Sequence, residues 1–147
     1  MSDYVVTGHH VRRTNPTPVP DPVAVAYWPP DTHHVRRIVR DGAAYNEGFV
    51  FGGDDWGPFG VSYRALTPRV RDASNLLEPA CPSSSHVAYG AIRLEWTFFV
   101  LGQSAGTAAV LAIQDGLPVQ QVPYDKLRSR LIADGQVPSI QLVEKKG

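Results

Sequence analysis

"SSSHVAYGAIRLEWTFFVLGQSAGTAAVLAI", residues 83–113, decides how this chain is read. Three serines precede a histidine, Arg93-Leu94-Glu95 follows, and Gly102-Gln103-Ser104-Ala105-Gly106 leads into a run of small residues. The pentad spells G-x-S-x-G, the turn that lifts a nucleophilic serine between a strand and a helix in many hydrolases. "WTFFVL" has a strand's composition and "TAAVLAI" a helix's, as that motif requires. The fold that uses it places an acid and then a histidine after the serine. All five histidines, at 9, 10, 33, 34 and 86, come before Ser104. A Ser104 hydrolase is therefore a long shot. The other reading is helical. From about Arg93 to Gln114, Gly102, Ala105, Gly106 and Ala109 recur three and four apart, a small-residue stripe that lets a helix lie close to another backbone. Gly116 fits the stop.

Working outward, the spacing predicts a second helix from about Pro123 to Ala133, with Leu127 and Leu131 at i, i+4 and Gly135 closing it. The tail "LVEKKG" is expected to fray. Upstream, "NLLEPACP" reads as a short apolar strand ended by proline, and "SSSH" as a polar turn after it. The vocabulary changes near residue 66. All ten leucines lie from Leu66 onward, while the first 65 residues hold ten valines and nine of the fourteen aromatics. That is strand-and-turn composition. Strands are expected at about 3–7, 22–28, 33–40, 46–51 and 60–65. Val23, Val25 and Tyr27 would share one face, as would Phe49 and Phe51. The prolines at 16, 18, 20 and 22 make "TNPTPVPDP" an extended connection. "FGGDDWGPFG" is a loop.

At 147 residues, 43% hydrophobic and 19% charged, the chain suffices for one domain with a core. Fourteen basic residues balance fourteen acidic ones, so bulk charge argues for neither nucleic acid nor an anionic membrane as partner. One cysteine, Cys81, excludes a disulfide framework, and it is expected to be a buried core thiol. The start has no signal-peptide pattern, and the apolar stretch at 96–113 is interrupted short of a comfortable span, so cytoplasmic residence is the default expectation. Ser83–Ser85 beside His86 do not make a triad, because neighbouring side chains rarely reach nucleophile–base geometry. Neither His9-His10 nor His33-His34 has a partner at metal-ligand spacing, so no metal is expected. His86 reads equally as a structural histidine capping a turn, and Arg93 with Glu95 as an ion pair at a helix start.

The segments "SYRALTPR", "SNLLEPACPSSSHVAYGAIRLEWTFFVLGQSAGTAAVLAIQDGLPVQ" and "YDKLRSRLIADGQV" together resemble the C-terminal part of a family of FAD-dependent oxidoreductases. That family belongs to the glutathione-reductase-like, two-dinucleotide-domain flavoproteins. Upstream, "VPDPVAVAYWPPDTHHVRRIV" and "NEGFVF" resemble the same family's substrate-side β region. The likeness runs from about residue 20 to 137. It implies an α+β fragment of an α/β flavoprotein: a β-rich substrate-side portion at 1–72, then a strand and two helices of the FAD domain at 73–137, then a tail at 138–147. Residues 75–80 would be the strand returning to the FAD domain.

The resemblance also implies roles. Ser85, His86 and Gly90 would lie on the flavin-ring side, with Ala91, Ile92, Arg93 and Leu94 at the mouth of the last long helix. There, free N–H groups and the positive end of a helix dipole suit an edge that gains negative charge on reduction. His86 is the candidate acid/base, Arg93 orients substrate or flavin, and Asp31 and His33 face a small-molecule substrate. Two departures stand out. "DTHH" replaces the commoner Asp-Ser-His-Asn, so His34 stands where an amide is expected. Trp96 stands where proline is frequent. The strand–G-x-G-x-x-G–helix that opens the family is missing, so the chain is expected to be a truncated piece. Another chain or domain would supply that half, and a non-catalytic, partner-dependent remnant is the rival reading.

Overall fold

Pro22–Ala26 forms strand β1, and it pairs antiparallel with β4 (Phe59–Ser62) in the computed structural model, which describes residues 2–144. The ladder runs Pro22↔Ser62, Ala24↔Val61, Val25↔Gly60 and Ala26↔Phe59, with a bulge that leaves Val23 unmatched. That extra residue breaks the two-residue alternation. Val23, Ala24 and Ala26 are buried while Tyr27 is exposed, so the bulge corrects the expectation that Val23, Val25 and Tyr27 share one face. Every residue of β4 is buried, and the chain then turns through a 3-10 segment at Tyr63–Leu66 rather than running on as a strand to 65.

The second pair is a ribbon. β2 (Arg36–Arg40) and β3 (Ala43–Glu47) are closed by Asp41 and Gly42, both at positive φ, the two-residue turn whose twist suits a hairpin. Both of its faces are largely exposed. Beyond it, Phe51 makes only an isolated bridge with Asp31, so the strand expected at 46–51 begins and ends earlier. The expected strand at 3–7 reduces to one bridge, Val6 to Ser84. α1 (Gly8–Val11) is a single turn. No strand forms at 75–80, where Leu76 is exposed; two prolines and loop backbone end the apolar run before it can pair.

The helical half begins earlier than expected and is interrupted. α2 (His86–Ile92) ends at Arg93, Leu94 is extended, and α3 (Glu95–Asp115) starts afresh. Gly116 closes α3 in the left-handed conformation, and α4 (Tyr124–Ala133) follows with Leu127 and Leu131 fully buried. α5 (Ile140–Glu144) takes in part of the tail expected to fray, and the rest lies outside the described residues. α3 packs across β1 and against α4 through Leu101, Ser104, Ala105, Ala108, Leu111 and Ala112. It is long and apolar enough by composition to cross a membrane, yet this buried face makes it the core helix of an α+β fold. The core joins Val6, Val23, Val61 and Leu66 to Ile92, Leu101, Leu127 and Leu131. The expected small-residue stripe is split: Ala105 joins the buried face, whereas a Cβ added at Gly102 or Gly106 would meet nothing within 4 Å.

Candidate functional site

Ser85 begins the site. Its N–H is held by the Val6 carbonyl at 2.7 Å, and its Oγ accepts the Ala88 N–H at 3.3 Å as the N-cap of α2. His86 stands next, exposed, with Nε2 3.2 Å from the Gly48 carbonyl. A carbonyl only accepts, so Nε2 carries the proton and Nδ1 is the basic nitrogen. One turn on, Gly90 is buried against the 31–32 segment. A Cβ there would lie 2.9 Å from Thr32 Cγ2 and 3.0 Å from the Asp31 nitrogen.

Arg93 ends α2 and reaches the same segment. Its Nε donates to the Asp31 backbone carbonyl at 3.2 Å and its Nη2 lies 3.4 Å from Asp31 Oδ2. The expected Arg93–Glu95 pair is corrected: the guanidinium is drawn to Asp31, because the helix breaks and turns its last residue toward the loop. Both partners are about a third exposed, at 32% and 33%, so the pair orients more than it stabilises. A second contact spans the same break, Trp28 edge-on to Trp96 with centroids 5.9 Å apart. Leu94 caps α3 without a side-chain hydrogen bond, and Thr97 Oγ1 in its first turn is buried in the core with no hydrogen-bond partner among the described residues.

Asp31, Gly90 and Arg93 are thus brought together, and His86 is brought to the base of the ribbon. His33 is exposed and joins neither group. His34 stacks on Phe49 at 5.4 Å. Ala91 and Ile92 are wholly buried, so their side chains build core rather than site. Cys81 is exposed, not the core thiol expected; its N–H is tied to Glu78 Oε1 in a surface turn. Beside it, burial raises the Tyr89 phenol, Cys81 adds to that and Arg93 opposes it. Thr32 and Gly48 join the loop to the ribbon, and little in the sequence marks them. The hydroxyl kept at position 32 and the glycine after Glu47 are their only sequence signals.

The cavities among the described residues lie apart from these side chains, the roomiest at about 520 Å³ beside Val25, Val100 and Gln136. One of about 380 Å³ is lined by Tyr4, Arg64, Arg69 and Gln120 among others, and one of about 280 Å³ by His10, Pro18 and Phe59 among others. Asp31, His86 and Arg93 line none of these. Ser104 is no exposed nucleophile. It is fully buried inside α3, where its Oγ donates to the Val23 carbonyl, 2.9 Å away.

A family model described as FAD dependent oxidoreductase matches residues 1–131. No curated protein and no solved structure matches the chain.

Proposed function

Since the chain belongs to the FAD dependent oxidoreductase family, we propose that it forms the ring side of a flavin site together with part of the substrate-facing region. The whole protein would be of the glutathione-reductase-like, two-dinucleotide-domain kind. The observation that carries this reading is the break between α2 and α3. It leaves the first N–H groups of a 21-residue helix without a side-chain cap, next to Arg93 and the Asp31 loop. These groups fit the pyrimidine edge of an isoalloxazine ring, which gains negative charge on reduction.

When bound, FAD supplies the hydride acceptor. The chain's own residues do the rest. Arg93 brings positive charge to that edge while fixing Asp31 toward the substrate. His86, with its proton on Nε2, exchanges the substrate's proton at Nδ1. Ser85 and Gly90 set where His86 and Arg93 stand; Ala91 and Ile92 contribute packing. Residues 1–72 serve the substrate side and 73–137 the flavin side, sharing one core.

The adenosine and diphosphate end of FAD finds no holder here, because no G-x-G-x-x-G follows a strand. Another chain or domain brings that half and covers the outer face of α3. FAD titrated into the chain alone, followed by flavin fluorescence and near-UV circular dichroism, is expected to give no saturable micromolar binding. Adding the dinucleotide half of a family member in trans is expected to restore it, and Arg93→Ala to weaken it. No binding by the combined halves sinks the proposal. A second reading, a non-catalytic interaction module, draws on the exposed α3 face. It would be supported if the combined halves associate while FAD binding and reduction ignore changes at Arg93 and His86.

A further inference from the structure

The Gly48 carbonyl sits between two side chains from different parts of the chain. Thr32 Oγ1 lies 3.2 Å from it and His86 Nε2 also 3.2 Å. Thr32 is buried, 3% exposed, and its hydroxyl is the better-fixed partner. It accepts the Val50 N–H at 2.7 Å, while the Thr32 N–H donates to the Val50 carbonyl at 3.0 Å. Its single proton is shared between the carbonyls of Gly48 and Val50, the latter at 3.4 Å. One buried side chain therefore pins both ends of the Gly48–Val50 turn.

Gly48 itself has no freedom to be another residue. Its φ is +88°, and a Cβ would fall 2.5 Å from Val35 Cγ2. The carbonyl that receives His86 is thus aimed by a glycine-only conformation on one side and by Thr32 on the other. His86 is exposed and first in its helix, and among the described residues its ring hydrogen-bonds the Gly48 carbonyl alone.

From this we propose that Thr32 is a positioning residue for His86, acting through the Gly48 carbonyl and touching neither substrate nor cofactor. It holds the acceptor that keeps the imidazole proton on Nε2 and turns Nδ1 outward. The inference rests on the reading of His86 as the acid/base, but its test does not need turnover.

The test is nuclear magnetic resonance on the full chain with labelled histidine and glycine. In the wild type, His86 is expected to give an observable Nε2 proton with a scalar coupling to the Gly48 carbonyl carbon. Thr32→Val keeps the shape of the side chain but neither donates nor accepts; the coupling is expected to vanish and Val50 amide exchange to quicken about tenfold. Thr32→Ser keeps the hydroxyl and is expected to restore both. Absence of the coupling in the wild type overturns the proposal. So does a Thr32→Val chain in which Val50 exchange quickens while the His86 signal stays, since Thr32 would then serve the ribbon alone. Should Thr32→Val not fold, the wild-type coupling and the Thr32→Ser chain still decide. The acid/base reading fails separately: His86→Gln would leave the pH profile of substrate-driven flavin reduction unchanged in the combined halves.

Discussion

The Val23 carbonyl has no strand partner, because the β1 bulge removes it from the ladder, and two side chains meet it instead. Ser104 Oγ lies 2.9 Å away and Gln136 Nε2 2.6 Å, and the two side chains bond each other at 2.8 Å. This is why a serine sits mid-helix in a core: a buried carbonyl left unmet costs more than the polar side chain does. Ser104→Ala should lower the unfolding free energy in urea by about 1–2 kcal/mol, with the Gln136 bond keeping the loss from growing. A change below about 0.5 kcal/mol would remove this account of the motif. Tyr63 makes a pH-dependent case. Burial pushes its phenol far above the ordinary range, and its hydroxyl donates to the Val119 carbonyl at 2.6 Å. The folded state holds the phenol neutral while the unfolded chain ionises it near pH 10, roughly the free value. Its contribution is therefore complete below about pH 10 and lost as pH rises beyond. Stability measured from pH 9 to 11 should fall less steeply in Tyr63→Phe than in the wild type; equal slopes would refute the assignment.

Among the elements, α2 is the one whose neighbours the sequence concealed. Glycine to alanine inside an exposed helix gains up to about 1 kcal/mol. At Gly90 the sign should reverse, because the new methyl would press on the Asp31 backbone and Thr32 at 2.9–3.1 Å. Gly90→Ala is expected to cost about 1–2 kcal/mol net and to loosen the Asp31–Arg93 contact, read by urea unfolding and by exchange at the Thr32 amide. A stabilised variant would mean the loop yields freely. Helices with period and caps were legible: α4 came from Leu127, Leu131 and Gly135, and the end of α3 from Gly116. The hairpin was half legible: the first strand of the pair falls within the expected 33–40, but the tight Asp41-Gly42 turn starts the second at Ala43 rather than 46. What failed was decided by partners distant in sequence. Val6 pairs with a loop 78 residues on, and the break at Arg93–Leu94 exists beside Asp31 and Trp28, neither visible in the helix's own pattern. The site residues His86, Arg93 and Asp31 came through resemblance, whereas Thr32 and Gly48 act through backbone geometry that a string of letters does not display.

At the scale of the molecule, α3 has two working faces and the fold uses one. The inner face packs on β1 and α4. On the outer face Phe99 is 77% exposed and Ile113 81%, with Trp96 and Val110 between half and fully open and Gly102 and Gly106 clear of any neighbour. These six positions follow one another at helical spacing, so they form one continuous strip rather than scattered apolar residues. Large side chains at both ends and glycines in the middle admit a close-packed partner backbone, which is what the proposed dinucleotide half would provide. Because the strip contributes little to this chain's own core, Phe99→Glu with Ile113→Glu should leave the unfolding free energy within about 0.5 kcal/mol of the wild type. The same pair should suppress concentration-dependent association in sedimentation velocity and abolish assembly with the dinucleotide half. If the double variant instead unfolds readily, the strip belongs to the chain's own core. If it folds and still associates, the covering surface lies elsewhere, and the ribbon's exposed Val39, with Phe51 beyond it, becomes the place to look.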